Sequence, residues 1–135
     1  MFGTAKFITL EAAKKMAAAG EAEAKKNGWN VAIAIVDASG GLILFHKLDE
    51  TQPGSIAVAQ GKARTAALFK RPSKALEESV AAGKQGFLAV DGVVPIQGGL
   101  PVVADGKVIG AVGVSGVMSA QDEQVAQTSL SALSG

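Results

Sequence analysis

A chain of 135 residues with 17 glycines, one histidine and neither cysteine nor tyrosine fits a single domain, 1–135. The missing cysteines exclude a disulfide framework, a thiolate nucleophile, an iron–sulfur cluster and a Cys-based zinc site, and one histidine excludes a multi-His metal centre. A formal charge of +1, from 13 basic and 12 acidic side chains, lacks the basic excess of a nucleic-acid binder; 48% hydrophobic residues make the chain too apolar for disorder. The longest apolar runs, Val31 to Val36 and Val108 to Val114, fall far short of the ~18–20 residues of a membrane span. Glu11, Lys14 and Lys15 follow Met1–Leu10 at once, leaving no apolar signal-peptide core, so the expected location is the cytoplasm. Apolar content with almost no net charge points to self-association.

In chain order, Thr9 can cap a helix from about Leu10 to Lys26, with Asn27-Gly28 as its stop. Leu10, Ala13, Met16, Ala17 and Ala24 form its apolar stripe. The run from Trp29 to Asp37, the turn residues Ala38-Ser39-Gly40-Gly41 and the run from Leu42 to Leu48 predict a β-hairpin, with Asp37 starting the turn. Pro53-Gly54-Ser55 opens a second helix to Phe69, with Ile56, Ala59, Ala63, Ala66, Ala67 and Leu68 on its apolar face, stopped by Arg71-Pro72. Ser73 is expected to cap a third helix ending near Ala82, and Lys84 to Gly92 has no clear period. Val93–Gln97, Leu100–Ala104 and Val108–Ser115 are expected strands, the last two joined by an Asp105-Gly106 hairpin turn. Ser119 with Asp122 has capping-box spacing before a last helix through about Leu133. Tight hairpins imply an α+β fold with a largely antiparallel sheet.

Four segments stand out chemically. Gly98-Gly99, in Pro95–Pro101, leaves backbone amides bare for a ligand or marks a strand bulge. The glycines of Gly110–Gly116 fit neither G-x-G-x-x-G nor a Walker loop. Even so, Ser115-Gly116 leads to a helix N-terminus that suits a carboxylate or haem propionate, or else packs closely on a helix. Lys62 and Arg64 lie on a helix of small apolar residues, so they reach solvent, bridge an interface or meet an anion. His46 shares a strand face with Leu44 and Leu48 and is the single imidazole available as general base or haem axial ligand. No motif places a base beside Ser115, and no metal-ligand cluster is expected.

These segments together resemble the GlcG/HbpS family, which also supplies the C-terminal domain of PduO-type corrinoid adenosyltransferases. The matching residues are Ala34-Ile35-Val36-Asp37 with Gly40-Gly41, Lys47-Leu48-Asp49 where the family usually has Arg-Met-Asp, and Ala59-Gln60-Gly61-Lys62-Ala63-Arg64-Thr65-Ala66. Gly98-Gly99-Leu100-Pro101 and the run from Asp105-Gly106 through Gly110, Gly113, Ser115-Gly116 and Gln121-Asp122 complete the set. The resemblance implies profilin-like α/β/α layers, a five-stranded antiparallel sheet with helices on both faces, and homo-oligomers, tetramers or octamers. It also implies haem binding, with haem degradation reported for some members. Some haem-binding relatives use a histidine in the first helix; Leu10 to Lys26 has none, and Met16 and Met118 are more simply core residues.

The leading expectation is an oligomeric haem- or tetrapyrrole-binding protein. Lys62 and Arg64 would neutralise propionates beside the amides of Gly98, Gly99, Ser115 and Gly116, with His46 or Asp122 as proton carrier or axial ligand. The same cradle would serve a binding protein or enzyme for a small carboxylate, with Lys62 as clamp. A structural or chaperone-like oligomer, its cations in subunit contacts, is the third reading.

Overall fold

The computed structural model describes residues 1–134. Helix α1 (Leu10–Asn27) begins where the Ala12 N–H donates to Thr9 Oγ1 at 3.1 Å, and ends at Gly28, whose φ of 71° is the left-handed conformation a helix stop requires. Strands β1 (Ala32–Asp37) and β2 (Leu42–Lys47) form the expected hairpin. Asp37 Oδ1 accepts from the N–H groups of Ser39 and Gly41, both at 2.9 Å, and so folds the turn. Then come α2 (Gly54–Phe69), α3 (Ser73–Ala81) and a 3-10 turn (Gln85–Ala89), followed by β3 (Gly99–Ala104), β4 (Lys107–Ser115) and α4 (Ser119–Ser131). Asp105 and Gly106, at φ 52° and 75°, make the β3–β4 turn, with Ala104 opposite Lys107.

The sheet has four strands in the order β2-β1-β4-β3, every pair antiparallel. The expected fifth strand, Val93–Gln97, is instead an irregular strap over α2. Val94 fills the notch at Gly61, where a Cβ would lie 2.3 Å from Val94 Cγ2, and the Val94 N–H donates to Thr65 Oγ1 at 2.9 Å. Side-chain hydrogen bonding to the helix replaces a ladder.

Alternation divides the core in two. Ile33, Ile35, Val112, Val114, Leu100 and Val102 face α1 and α4, while Ala32, Ala34, Val36 and Ala111 face α2. The second layer is thin because Ala59, Ala63, Ala66 and Ala67 form the buried stripe of α2; Ile56 and Leu68, expected on that stripe, are exposed. Leu10, expected to be apolar-buried on α1, is also 51% exposed. Helix α4 starts one residue earlier than capping-box spacing suggested: Met118 is the N-cap, its N–H donates to Gln121 Oε1 at 3.3 Å, and Asp122 is turned inward. No helix among the described residues is long and apolar enough to cross a membrane.

Candidate functional site

The small residues of α2 and the glycines of β3 and β4 bring helix and sheet into near-backbone contact, and that closeness places Lys62. Its side chain is 2% exposed; Nζ donates to Val114 O at 2.9 Å and to Asp122 Oδ2 at 3.0 Å. Asp122 Oδ1 accepts from the Val117 N–H at 3.1 Å, so one carboxylate ties α2 to the first turn of α4. That end of a helix favours a negative charge. Burial nevertheless pushes the Asp122 carboxyl above the ordinary aspartate value of 3.8, and the Lys62 charge and the Val117 hydrogen bond offset part of the rise.

The turn before β3 closes the knot. A Cβ at Gly98 would lie 2.7 Å from Lys62 Nζ, and one at Gly99 would lie 2.2 Å from Lys62 O. Gly98 O accepts from the Val114 N–H at 3.0 Å. Ser73 is the first residue of α3 rather than its cap; its Oγ donates to Ile96 O at 2.6 Å and accepts from the Gly99 N–H at 2.8 Å. Ser115 Oγ bonds Ser55 Oγ at 3.1 Å. Lys62, Gly98, Gly99, Ser115 and Asp122 therefore lie close together, with the Lys62 ammonium and the Gly99 N–H bonded to protein groups.

Arg64 does not join them. It is exposed and lies across two turns: a Cβ at Gly40 would sit 3.5 Å from its Cγ, and one at Gly92 would sit 2.9 Å from Nη2. Lys62 and Arg64 thus present no common cation pair, and a carboxylate reading that used Lys62 as clamp finds its ammonium already paired. Met16 is fully buried, but Met118 is 71% exposed and no core residue.

His46 lies on the opposite face of the sheet. It pairs with Ile33, faces α1, and its Nδ1 meets Glu21 Oε1; the imidazole side chain is 42% exposed. Lys25 Nζ stands 3.9 Å from Glu21 Oε2 and also lines a surface cleft of about 390 Å³ with Trp29, Asn30, Lys47, Leu48 and Asp49. Gly116 packs closely on the neighbouring backbone, where a Cβ would lie 2.3 Å from Asn30 O. The sequence signalled His46 and Gly116 but not Trp29 or Lys25, whose convergence with Lys47 depends on how α1 ends beside the hairpin.

An antiparallel sheet between α1/α4 and α2/α3 is an architecture shared with known proteins. The family model described as "Haem degrading protein HbpS-like" matches residues 8–131. Protein GlcG of Escherichia coli strain K12 is 43% identical over 108 residues, covering 80% of this chain and 81% of its own. A double mutant of Streptomyces reticuli HbpS superposes at TM-score 0.91 with 32% identity, over 98% of this chain and 90% of its own. A PduOC:Heme complex superposes at TM-score 0.86 with 27% identity, over 94% of this chain and 95% of its own. The chain belongs to the HbpS-like family.

Proposed function

We propose that this protein binds haem or a closely related tetrapyrrole. The observation that carries the reading is the cleft beside the end of α1. Trp29 and Leu48 offer apolar surface, and the exposed Lys25 and Lys47 offer two cations of the kind that pair with propionates. Kinship with HbpS and with a PduO domain crystallised with haem supports the choice of ligand. At about 390 Å³ the cleft is near the lower end of the ~300–1,000 Å³ of small-molecule sites, so it takes one edge of a macrocycle and leaves the rest at the surface. Asp49 on the same rim repels carboxylates and leaves their pairing to the two lysines.

Titrating the wild-type protein with ferric haem should give a saturable Soret change at micromolar concentrations. A strictly linear response, equal to haem in buffer, rejects the reading. Degradation of bound haem is the finer part of the proposal: a ligand left partly at the surface is open to dioxygen and reductant. Self-association is a further part, supported by exposed Phe2, Phe7, Leu42, Leu68 and Leu88. Light scattering on the same sample is expected to give a multiple of 13.5 kDa. A cytoplasmic location is a further part of the proposal.

A further inference from the structure

We infer that the cleft at the end of α1 recognises a tetrapyrrole by its ring face and carboxylate edge, with no bond from the protein to a central metal, so that the metal-free macrocycle binds as well as haem. This rests on the haem-binding reading above and states what that site selects. Haem iron takes an imidazole, thiolate, thioether or phenolate from a protein. The chain has no cysteine or tyrosine, one histidine and three methionines, and none of these four side chains lines the cleft. His46 is bonded to Glu21, Met16 is fully buried, and Met1 and Met118 are exposed elsewhere. The cleft walls offer instead the ammonium groups of Lys25 and Lys47, the indole N–H of Trp29, and the oxygens of Asn30 and Asp49. A protonated ammonium and an indole N–H only donate, and amide and carboxylate oxygens suit hard cations. The donor set of the cleft therefore does not fit haem iron.

It does fit the rest of the macrocycle. Trp29 and Leu48 pack against the core between the sheet and α1, which fixes their exposed edges before any ligand arrives. The loop that carries Leu48 is pinned from behind. The Leu48 N–H donates to Val31 O at 3.0 Å, and the buried Thr51 Oγ1 lies 2.7 Å from Leu48 O and 3.0 Å from Val31 O. Beyond the helix stop at Gly28, the Trp29 N–H donates to Ala24 O at 2.9 Å. An indole held in this way is a ready surface for a flat aromatic ring. Lys25 Nζ stands 3.9 Å from Glu21 Oε2, too far for a hydrogen bond, and so can turn to a ligand carboxylate, as can the exposed Lys47. Ring face and carboxylates are the same in haem and in the metal-free porphyrin, so these contacts do not distinguish the two.

Trp29 is the single tryptophan, and quenching of its fluorescence reports occupancy of the cleft by either ligand. Wild type, Lys25→Gln/Lys47→Gln, His46→Ala and Met118→Leu are each titrated with ferric haem and, separately, with metal-free protoporphyrin, with absorbance followed in parallel. In wild type both ligands should quench saturably, with dissociation constants within about threefold of each other. The double lysine variant should bind both at least about tenfold more weakly and by the same factor, the loss expected when charge-assisted contacts go. His46→Ala and Met118→Leu should keep the wild-type affinity and Soret band. The replaced side chains are exposed or, for His46, 42% exposed, so the fold should persist, which circular dichroism checks. Haem bound at least about tenfold more tightly than the metal-free ring, or a displaced Soret band in His46→Ala or Met118→Leu, reveals a bond from the protein to iron. Either result overturns the inference and leaves haem binding standing. Undiminished binding in the double lysine variant overturns it too, by removing the ligand from this cleft. If wild type binds neither ligand, the haem reading fails and the inference with it.

Discussion

Replacing Lys62 with methionine is expected to lower the free energy of unfolding by about 3–5 kcal/mol, the usual effect of removing one partner of a buried ion pair. Methionine fills much of the same volume, so the loss is electrostatic: Asp122, 2% exposed, would keep a buried charge with the Val117 N–H as its remaining donor, and Val114 O would lose the ammonium. The Lys62→Met/Asp122→Asn double variant should recover a large part of that loss. Asparagine Oδ1 can still accept from Val117, and no uncompensated charge remains. Urea denaturation of the four proteins of the cycle measures this. A double variant no more stable than Lys62→Met alone would show that packing, not charge, accounts for the effect.

The same pair sets a pH dependence with a definite sign. Because burial raises the folded-state value of Asp122 above 3.8, the folded protein holds this proton more tightly than the unfolded chain. The stability it contributes is fully present below 3.8 and is lost as pH rises through the elevated value. Removing the Lys62 charge raises the carboxyl further, so Lys62→Met should show a wider loss with rising pH, and Asp122→Asn should lack this component. Unfolding free energies measured from acid to neutral pH separate the three.

How much of this was visible in the sequence follows from the range of each interaction. Thr9, Asn27-Gly28, Asp37 and Asp105-Gly106 act on backbone groups a few residues away, so their elements were legible from local chemistry. Val93, Val94 and Ile96 favour extended backbone, so the sequence predicts a strand where the strap at Val93–Gln97 lies. Whether such a segment finds a ladder depends on Thr65 and Gly61, about thirty residues earlier, and they hold it against α2 instead. Asp122 carried a capping signal at the right spacing, yet Lys62, 60 positions away, takes its carboxylate. Residue types named the members of the knot; they could not say that its groups would satisfy one another. The cleft at the end of α1 was still less visible, because Lys25, Trp29 and Lys47 share no periodic pattern.

Gly113→Ala is expected to be the most damaging single-methyl addition to the sheet, costing at least about 3 kcal/mol, the upper end of overpacking effects. A Cβ there would lie 2.2 Å from Ala59 O, 2.5 Å from Ala63 N and 2.9 Å from Ala63 Cβ. Two of the three are backbone atoms, so no rotamer change relieves the contact. Neither side can yield locally: β4 is held between β1 and β3, with Gly113 opposite Ala34 and Gly99. Helix α2 would have to lift as a unit, separating Ala59, Ala63 and Ala66, all at 0% exposure, from the sheet and pulling Lys62 away from Asp122. Gly106→Ala is the control that isolates backbone strain. Its φ is +75° but nothing lies within 4 Å of the added Cβ, so about 1–2 kcal/mol is expected. Urea midpoints with unchanged slopes would measure both, and a Gly113→Ala loss no larger than that of Gly106→Ala would contradict the close approach of α2. The alanine stripe of α2 and the glycines of β3 and β4 thus act as one device: they set the helix–sheet distance, and that distance lets a lysine on one layer reach an aspartate on another.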